Sequence, residues 1–298
     1  VKVLRLLALG IGGLFALVVV LVAALAIHGH NLLHARAANP IPEVRVARDS
    51  AQVARGRHLS DVVCAGCHAA DEPGVLSGGR ENFGAIPGGP TLGRIHAPNL
   101  TPASRVGTWD DGTLARAIRE GVGADGRPLL VMPSAGLRQL SDGDLAALIA
   151  YLRSQPPVAT QVPERRLNLL GYLVLGTHMF ETSAQLPVDR PVPGVAEAAD
   201  SAYGAYLAAV TDCRACHGPD LRGGRKGQLA PIGPDLVTLA RAHELGTFAA
   251  ALREGQGTRG RPLDPTRMPW PMYAHLTDVE VSAIHAYLRS QPGASGAP

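Results

Sequence analysis

Two pentapeptides carry the chemistry of this sequence: CAGCH at Cys64–His68 and CRACH at Cys213–His217. Each sets two thiols one helical turn apart with an imidazole beside them. That spacing suits two thioether bonds to the vinyl groups of a haem, with the histidine bound to the iron from one face. Other chemistries explain less. A disulfide between such close cysteines closes a loop too short to gain much entropy, and it leaves the histidine without a role. A structural zinc needs a closed tetrahedral set, whereas each motif offers two cysteines and one histidine. A redox-active Cys-x-x-Cys belongs beside a βαβ pattern, which this sequence lacks. Two covalently attached haem c groups are therefore expected, on Cys64, Cys67 and His68 and on Cys213, Cys216 and His217. The macrocycles would also fill the centres of domains whose aromatic content is only 4%.

The second axial ligands follow from register. Met132 lies 8 residues before Leu140 and 19 before Tyr151, and Met268 lies 8 before Leu276 and 19 before Tyr287. Both precede a proline (Pro133, Pro269), which pushes the methionine out of the α region and onto an extended loop able to reach across a haem. Met272 breaks the correspondence and Met179 lies between the repeats. Iron ligation by His68 with Met132 and by His217 with Met268 is expected. A neutral soft sulfur favours Fe(II) and raises the potential. It also closes the sixth position, so the centre reads as an electron carrier and not a catalyst.

These residues sit in an internal repeat. YLRSQP occurs at Tyr151–Pro156 and again at Tyr287–Pro292, and GTLARAIREG at Gly112–Gly121 is echoed by GTFAAALREG at Gly246–Gly255. The offset falls from 149 at the cysteines to 134 at the GT segment, placing 15 extra residues of the first copy in the Gly-rich stretch 77–98. Each copy ends in a helix: Ser141 with Asp144, and Thr277 with Glu280, form capping boxes, and Pro156 and Pro292 terminate them. Apolar residues recur at helical spacing and no strand-like alternation of any length is present. The fold class is all-α: a transmembrane helix followed by two small, loop-rich domains. The expected limits are 1–27 for the anchor, 28–49 for a linker, 50–157 and 199–294 for the two domains, and 158–198 for a second linker. That second linker contains one apolar run, Leu167–Phe180, too short to span a bilayer. It reads as a helix packed on a domain, or as an interfacial or partner-docking helix.

Leu6–Ile27 is an uncharged apolar stretch of 22 residues, long enough at roughly 33 Å to cross a bilayer core of about 30 Å. Lys2 and Arg5 precede it, so the positive-inside rule puts the N-terminus in the cytoplasm and the rest outside. The expected location is the bacterial cytoplasmic membrane, single-pass, with the haem domains on the periplasmic side. A cleaved signal peptide is the competing reading, given the small residues around Ala23–Ala26 and Ala35–Ala38. The net charge of +3 is too small to suggest nucleic-acid binding, and four cysteines are too few for a disulfide scaffold.

With these motifs on view, the chain resembles the membrane-anchored multi-haem class I cytochromes c, in particular the cytochrome subunits of periplasmic alcohol, gluconate and aldehyde dehydrogenase complexes. The resemblance covers nearly everything after Ala51. It lies in the CxxCH motifs, the stretch from Ala97 to Pro102, Gly107-Thr108-Trp109 with Arg116, both Met-Pro pairs, CHGPDLRGG at Cys216–Gly224, and both YLRSQP tails. It implies an electron-transfer protein, itself no enzyme. Such a protein carries electrons between a dehydrogenase or a quinol-oxidising complex and a terminal acceptor such as an oxidase. Three-haem members have a third CxxCH, absent here, so the resemblance implies a general two-haem carrier. It further implies that the first helix of each domain crosses the last at a glycine, Gly56 with Tyr151 and Gly204 with Tyr287.

The alternative function is a di-haem cytochrome c peroxidase, which has two CxxCH motifs but needs one haem open to peroxide. Arg94, Asn99, Trp109 and Arg127 are candidate partners of the first haem's propionates, and Arg225 and Arg261 of the second's. His58 is an alternative axial ligand; His96 and His285 read as structural or exposed.

Overall fold

The computed structural model describes all residues except Ala70, Asp71, Pro87, Gly227, Leu229 and 293–298, so positions 293 and 294, the expected end of the second domain, lie outside the described residues. The chain opens with α1 (Lys2–His34), whose most apolar stretch has a mean hydropathy of 2.8 and is wholly exposed. This is one helix long and apolar enough to cross a membrane. It continues past Ile27 into the expected linker because Gly29 and Leu33 are buried there.

The first repeat contributes α2 (Ser50–Val63), α3 (Ala65–His68), α4 (Asp111–Glu120), α5 (Ser134–Leu137) and α6 (Asp142–Ser154). Between the repeats lies α7 (Leu169–Gly176). The second repeat contributes α8 (Ser201–Val210), α9 (Cys213–His217), α10 (Leu236–Ala242), α11 (Leu245–Arg253), α12 (Trp270–Tyr273) and α13 (Asp278–Ser290). Among the described residues the one strand ladder pairs Gly93–Arg94 antiparallel with Arg166–Leu167. The molecule is therefore mostly helical, as the periodicity requires.

In each repeat the first helix crosses the last at the expected glycine. A Cβ on Gly56 would lie 1.9 Å from the Ala147 carbonyl oxygen and 2.8 Å from Tyr151 Cβ. On Gly204 it would lie 1.9 Å from the Ala283 oxygen and 2.7 Å from Tyr287 Cβ. Only a residue without a Cβ allows that approach.

The two helix starts differ. Thr277 and Glu280 form a complete capping box, whereas Ser141 Oγ accepts from the Asp144 amide at 3.0 Å and Asp144 turns elsewhere. Asp144 instead binds Arg55 Nε at 2.8 Å and receives the Tyr206 hydroxyl. The Ser141 amide donates to that same hydroxyl at 3.2 Å. A tyrosine of the second repeat thus completes a cap in the first.

The extra residues of the first repeat are also distributed differently from expectation. Matching His68, Gly78, Pro98 and Asp110 to His217, Gly223, Pro234 and Glu244 places nine between Gly78 and Pro98, four before Gly78 and two before α4.

One continuous apolar core runs through both repeats, with Tyr203, Leu137, Leu140, Ile149, Leu207 and Leu288 fully buried. The contacts across the junction are reciprocal. Gly136 of α5 lies against α8 and the turn into α9, where a Cβ would meet the Ala209 oxygen at 2.7 Å and Asp212 Cβ at 3.1 Å. Conversely, α12 lies against α3: a Cβ on Gly66 would fall 2.3 Å from Met272 Sδ. The short helix after each Met-Pro pair therefore rests on the cysteine turn of the other repeat. Both linkers are tied to the first repeat, through Asn39 Nδ2 to Glu120 Oε2 at 2.6 Å and the Val188 amide to Glu120 Oε1 at 2.9 Å.

Candidate haem sites

Each CxxCH turn follows the repeat's first helix and ends on a histidine whose ring is anchored. His68 Nδ1 lies 2.8 Å from the Pro98 carbonyl oxygen, and His217 Nδ1 lies 2.8 Å from the Pro234 carbonyl oxygen. A carbonyl only accepts, so Nδ1 carries the proton in both and Nε2 keeps its lone pair for a metal. Burial holds both imidazoles below their ordinary pKa, against the opposing pull of the carbonyl, and so keeps them neutral. The same second bond fixes ring orientation and makes the ligand more basic. Neither proline stands out in the sequence; the signal available is an x-Pro dipeptide 14 residues before Gly112 in one repeat and 12 before Gly246 in the other.

Glycine pairs hold the turn from behind. Gly78 (φ 109°) and Gly223 (φ 115°) donate their amides to the His68 and His217 carbonyls, each at 2.8 Å. A Cβ on the following glycine would strike the Cys67 oxygen at 2.3 Å (Gly79) or the Cys216 oxygen at 2.4 Å (Gly224). These four glycines are likewise missing from the expected site residues, although Gly-Gly recurs after both motifs.

None of the four cysteines is in a disulfide. Burial pushes the Cys64 thiol up to about 12 and raises Cys67, Cys213 and Cys216 as well. Protonated, buried thiols are poor zinc ligands and poor redox nucleophiles. Among the described residues no cluster of three or more His, Cys, Asp or Glu is arranged to hold a bare metal ion.

The Met-Pro corners match closely. Pro133 (φ −79°, ψ 52°) and Pro269 (φ −76°, ψ 54°) sit at the centre of the same tight turn. The following amide donates back to the methionine carbonyl, Ser134 to Met132 at 2.8 Å and Trp270 to Met268 at 2.7 Å. That is an inverse γ-turn. Both methionines lie outside helices and are half-buried. Met272 faces Gly66 of the other repeat. The residue after each Met-Pro pair carries a buried donor without a partner, Ser134 Oγ and Trp270 Nε1. Such orphaned donors are what a bound polar group would satisfy, and the donor set of imidazole, thiols and loop thioether fits a covalently held haem.

Other candidate residues meet varied surroundings. The Asn99 amide is committed to the Val158 and Thr160 carbonyls at 2.7 and 3.3 Å, which withdraws it from a propionate. Arg127 lies 4.0 Å from Asp125, and Arg94, Arg225 and Arg261 are exposed. His58 turns from the core of its own repeat to Glu280 of the other, at 2.8 Å, and so takes no axial position. His285 is structural, with Nε2 3.2 Å from the His243 carbonyl oxygen.

Comparison with known proteins agrees with this geometry. Residues 51–152 match the family described as cytochrome C oxidase, cbb3-type, subunit III, and residues 201–292 match the family described as cytochrome c. The chain is 32% identical to a nicotinate dehydrogenase subunit of Pseudomonas putida, over 82% of this chain and 22% of that protein. It is 25% identical to the fructose dehydrogenase cytochrome subunit of Gluconobacter japonicus, over 86% of this chain and 56% of that one. With the gluconate 2-dehydrogenase cytochrome c subunit of Pantoea cypripedii it shares 29% identity, over 57% and 39% of the two chains. The chain thus spans from about a fifth to just over half the length of the curated relatives it matches.

Proposed function

We propose, because both repeats of this chain belong to the cytochrome c family and bind two covalent haem c groups, that the protein carries electrons from a membrane-associated dehydrogenase to a quinol-linked or terminal acceptor. The names of the relatives support a dehydrogenase as electron donor. Bound haem supplies a one-electron couple. Cys64, Cys67, Cys213 and Cys216 would hold it covalently, and His68 and His217 would offer Nε2 to the iron. Met132 and Met268 would supply a thioether sulfur to each iron. Limits of 50–157 and 199–294 enclose the two electron-carrying units.

The observation that carries this reading is the duplicated inverse γ-turn at Met132-Pro133 and Met268-Pro269, which gives both repeats the same loop thioether. A peroxidase would need one of the two sites open. The chain's own groups orient each site: the buried imidazoles are held by the Pro98 and Pro234 carbonyls, and α5 and α12 pack against the cysteine turn of the other repeat.

We place α1 across the bacterial cytoplasmic membrane as a single pass, with Lys2 and Arg5 on the cytoplasmic side and the haem domains in the periplasm. The deciding experiment is optical and magnetic spectroscopy of the purified membrane-bound protein. Two low-spin haems c with the methionine-to-iron charge-transfer band, neither binding carbon monoxide rapidly when reduced, are expected. One five-coordinate or bis-histidine centre overturns the carrier reading for that domain and favours the peroxidase.

A further inference from the structure

Electron transfer leaves α7 without a role. Its eight residues are apolar apart from the Tyr172 hydroxyl. A helix apolar on all sides is either buried in protein or placed in a membrane, yet only Gly171, Leu175 and Gly176 of α7 are buried. Those glycines let it approach α1 and the first domain. A Cβ on Gly176 would lie 2.1 Å from the Leu25 oxygen, one on Gly29 1.9 Å from the Tyr172 oxygen, and one on Gly171 2.3 Å from the Leu92 oxygen. Close backbone approach through small residues is how helices associate in lipid.

The pairing fixes the depth of α7. Leu25 meets Gly176 and Gly29 meets Tyr172, so the two helices run antiparallel. The C-terminal end of α7 is therefore carried back toward the apolar segment of α1, and His178 reaches His28 with 3.4 Å between the Nε2 atoms. Leu169, which starts α7, and Met179, three residues past its end, remain 60% and 64% exposed. Leu170 and Leu173 line an open groove with Pro90 and Thr91. Beside it α1 exposes its own apolar residues, among them Leu17, Val18, Leu21 and Ile27. Just before α7, Arg165, whose Nη1 donates to the Pro128 carbonyl at 3.0 Å, lies within electrostatic range of Arg105 and Arg127, with Asp125 as the acidic neighbour, and Arg36 packs beside Gly126. Tyr172 stands at the level where α1 leaves its apolar stretch, the depth at which tyrosines gather in membrane proteins.

We propose that residues 167–180 are a second, monotopic membrane contact, inserted in the outer face of the bilayer beside α1 with the arginine cluster on the headgroups. The occupant of this surface is lipid, not protein, because the apolar face lies beside that of α1 and the arginines match anionic headgroups. The contact fixes how the first haem domain is oriented on the membrane. The proposal rests on α1 being an anchor.

The test uses the full-length holoprotein in vesicles of phosphatidylethanolamine and phosphatidylglycerol. With the native cysteines consumed by haem, a charged, membrane-impermeant maleimide reports single introduced cysteines: Leu169→Cys and Met179→Cys on the proposed contact, Leu9→Cys in α1, and Val279→Cys on α13, which is 43% exposed. Alkylation at 169 and 179 at least about tenfold slower than at 279, together with diazirine-lipid adducts on 167–180, is expected. Rates at 169 and 179 equal to that at 279, with Leu9→Cys protected, overturn the second contact and leave the anchor standing. A reactive Leu9→Cys overturns the anchor itself. Protection without lipid adducts also overturns the proposal, and points to a second copy of the chain as the cover.

Discussion

His58 on α2 of the first domain donates from Nε2 to both carboxylate oxygens of Glu280 on α13 of the second, at 2.8 and 2.9 Å. Glu280 is itself the N3 residue of the α13 capping box and receives the Tyr203 hydroxyl at 3.2 Å. Arg55 Nη1 lies 3.9 Å from the same carboxylate and 2.8 Å from Glu197, while its Nε binds Asp144. The domain junction is thus an ionic cluster that includes one histidine.

Docking of the domains will depend on pH. The hydrogen bond to Glu280 raises the pKa of His58 above 6.5, against the opposing effect of burial. Its contribution is complete below that ordinary value and is lost as pH rises through the raised one. Burial pushes the Glu280 carboxyl up, but the His58 and Thr277 hydrogen bonds outweigh it and leave the group below its ordinary value. Its contribution is lost only as pH falls through that lowered value. Calorimetry of the holoprotein should therefore show stability falling as pH rises above the ordinary histidine value, through the raised one. His58→Gln should remove that limb and cost about 2 kcal/mol at pH 6. An unchanged pH profile in the variant refutes the assignment.

Tyr206 occupies the place in α8 that His58 occupies in α2, and it serves Asp144 as His58 serves Glu280. Tyr206→Phe keeps the ring and its packing but leaves the Ser141 amide without its acceptor. A loss of about 1–2 kcal/mol is expected, with faster amide exchange at the start of α6 by mass spectrometry. Exchange confined to α8 would contradict this role.

Much of this architecture is legible in the sequence. The duplicated CxxCH, GT and YLRSQP blocks give two like domains, and the helix-crossing glycines follow from the resemblance those blocks carry. What is not legible is how the domains meet. His58, Tyr206, Asp144 and Glu280 lie far apart along the chain, and each has an ordinary local role on an amphipathic helix. Asp144 looks like a capping-box residue because local spacing says nothing about Arg55 and Tyr206 arriving from other elements. Pro98 and Pro234 escape notice for a similar reason: their contribution is a backbone carbonyl, which no side-chain pattern encodes.

The helix-crossing glycines should tolerate no side chain. With a backbone oxygen 1.9 Å from the Cβ position, Gly56→Ala or Gly204→Ala must separate α2 from α6 or α8 from α13. Overpacking of this kind costs about 3 kcal/mol or more. The yield of the affected domain carrying covalent haem, read by haem staining and absorbance, should drop sharply. Normal yield and melting temperature would show that the crossing can relax.

Replacing the loop thioethers separates the two centres. Met132→Ala should lower the potential of one haem and open it to carbon monoxide, and Met268→Ala should do the same for the other, because the soft sulfur ligand is what raises the potential. Met272→Leu should leave both spectra unchanged, since its sulfur lies against Gly66 of the other domain. Loss of the methionine-to-iron band in Met272→Leu, with retention in Met268→Ala, would reverse the assignment in the second domain.

The shorter loop of the second domain makes one position a direct probe of the histidine. Gly233 and Ala97 are equivalent, each accepting from a glycine amide at 2.9 Å, Gly224 and Gly79 respectively. In the second domain, however, the Gly233 amide also donates to the Cys216 carbonyl at 2.9 Å, which draws the loop onto the cysteine turn. A Cβ there would sit 2.5 Å from His217 Nδ1, whereas the first domain accommodates the Ala97 methyl. Gly233→Ala should push the ring from the Pro234 carbonyl and weaken the bond that orients the ligand. The expected result is an altered potential and low-spin spectrum for the second haem alone, by potentiometric titration, while Ala97→Gly leaves the first unchanged. If Gly233→Ala shifts neither haem, the Pro234 carbonyl does not tune this ligand.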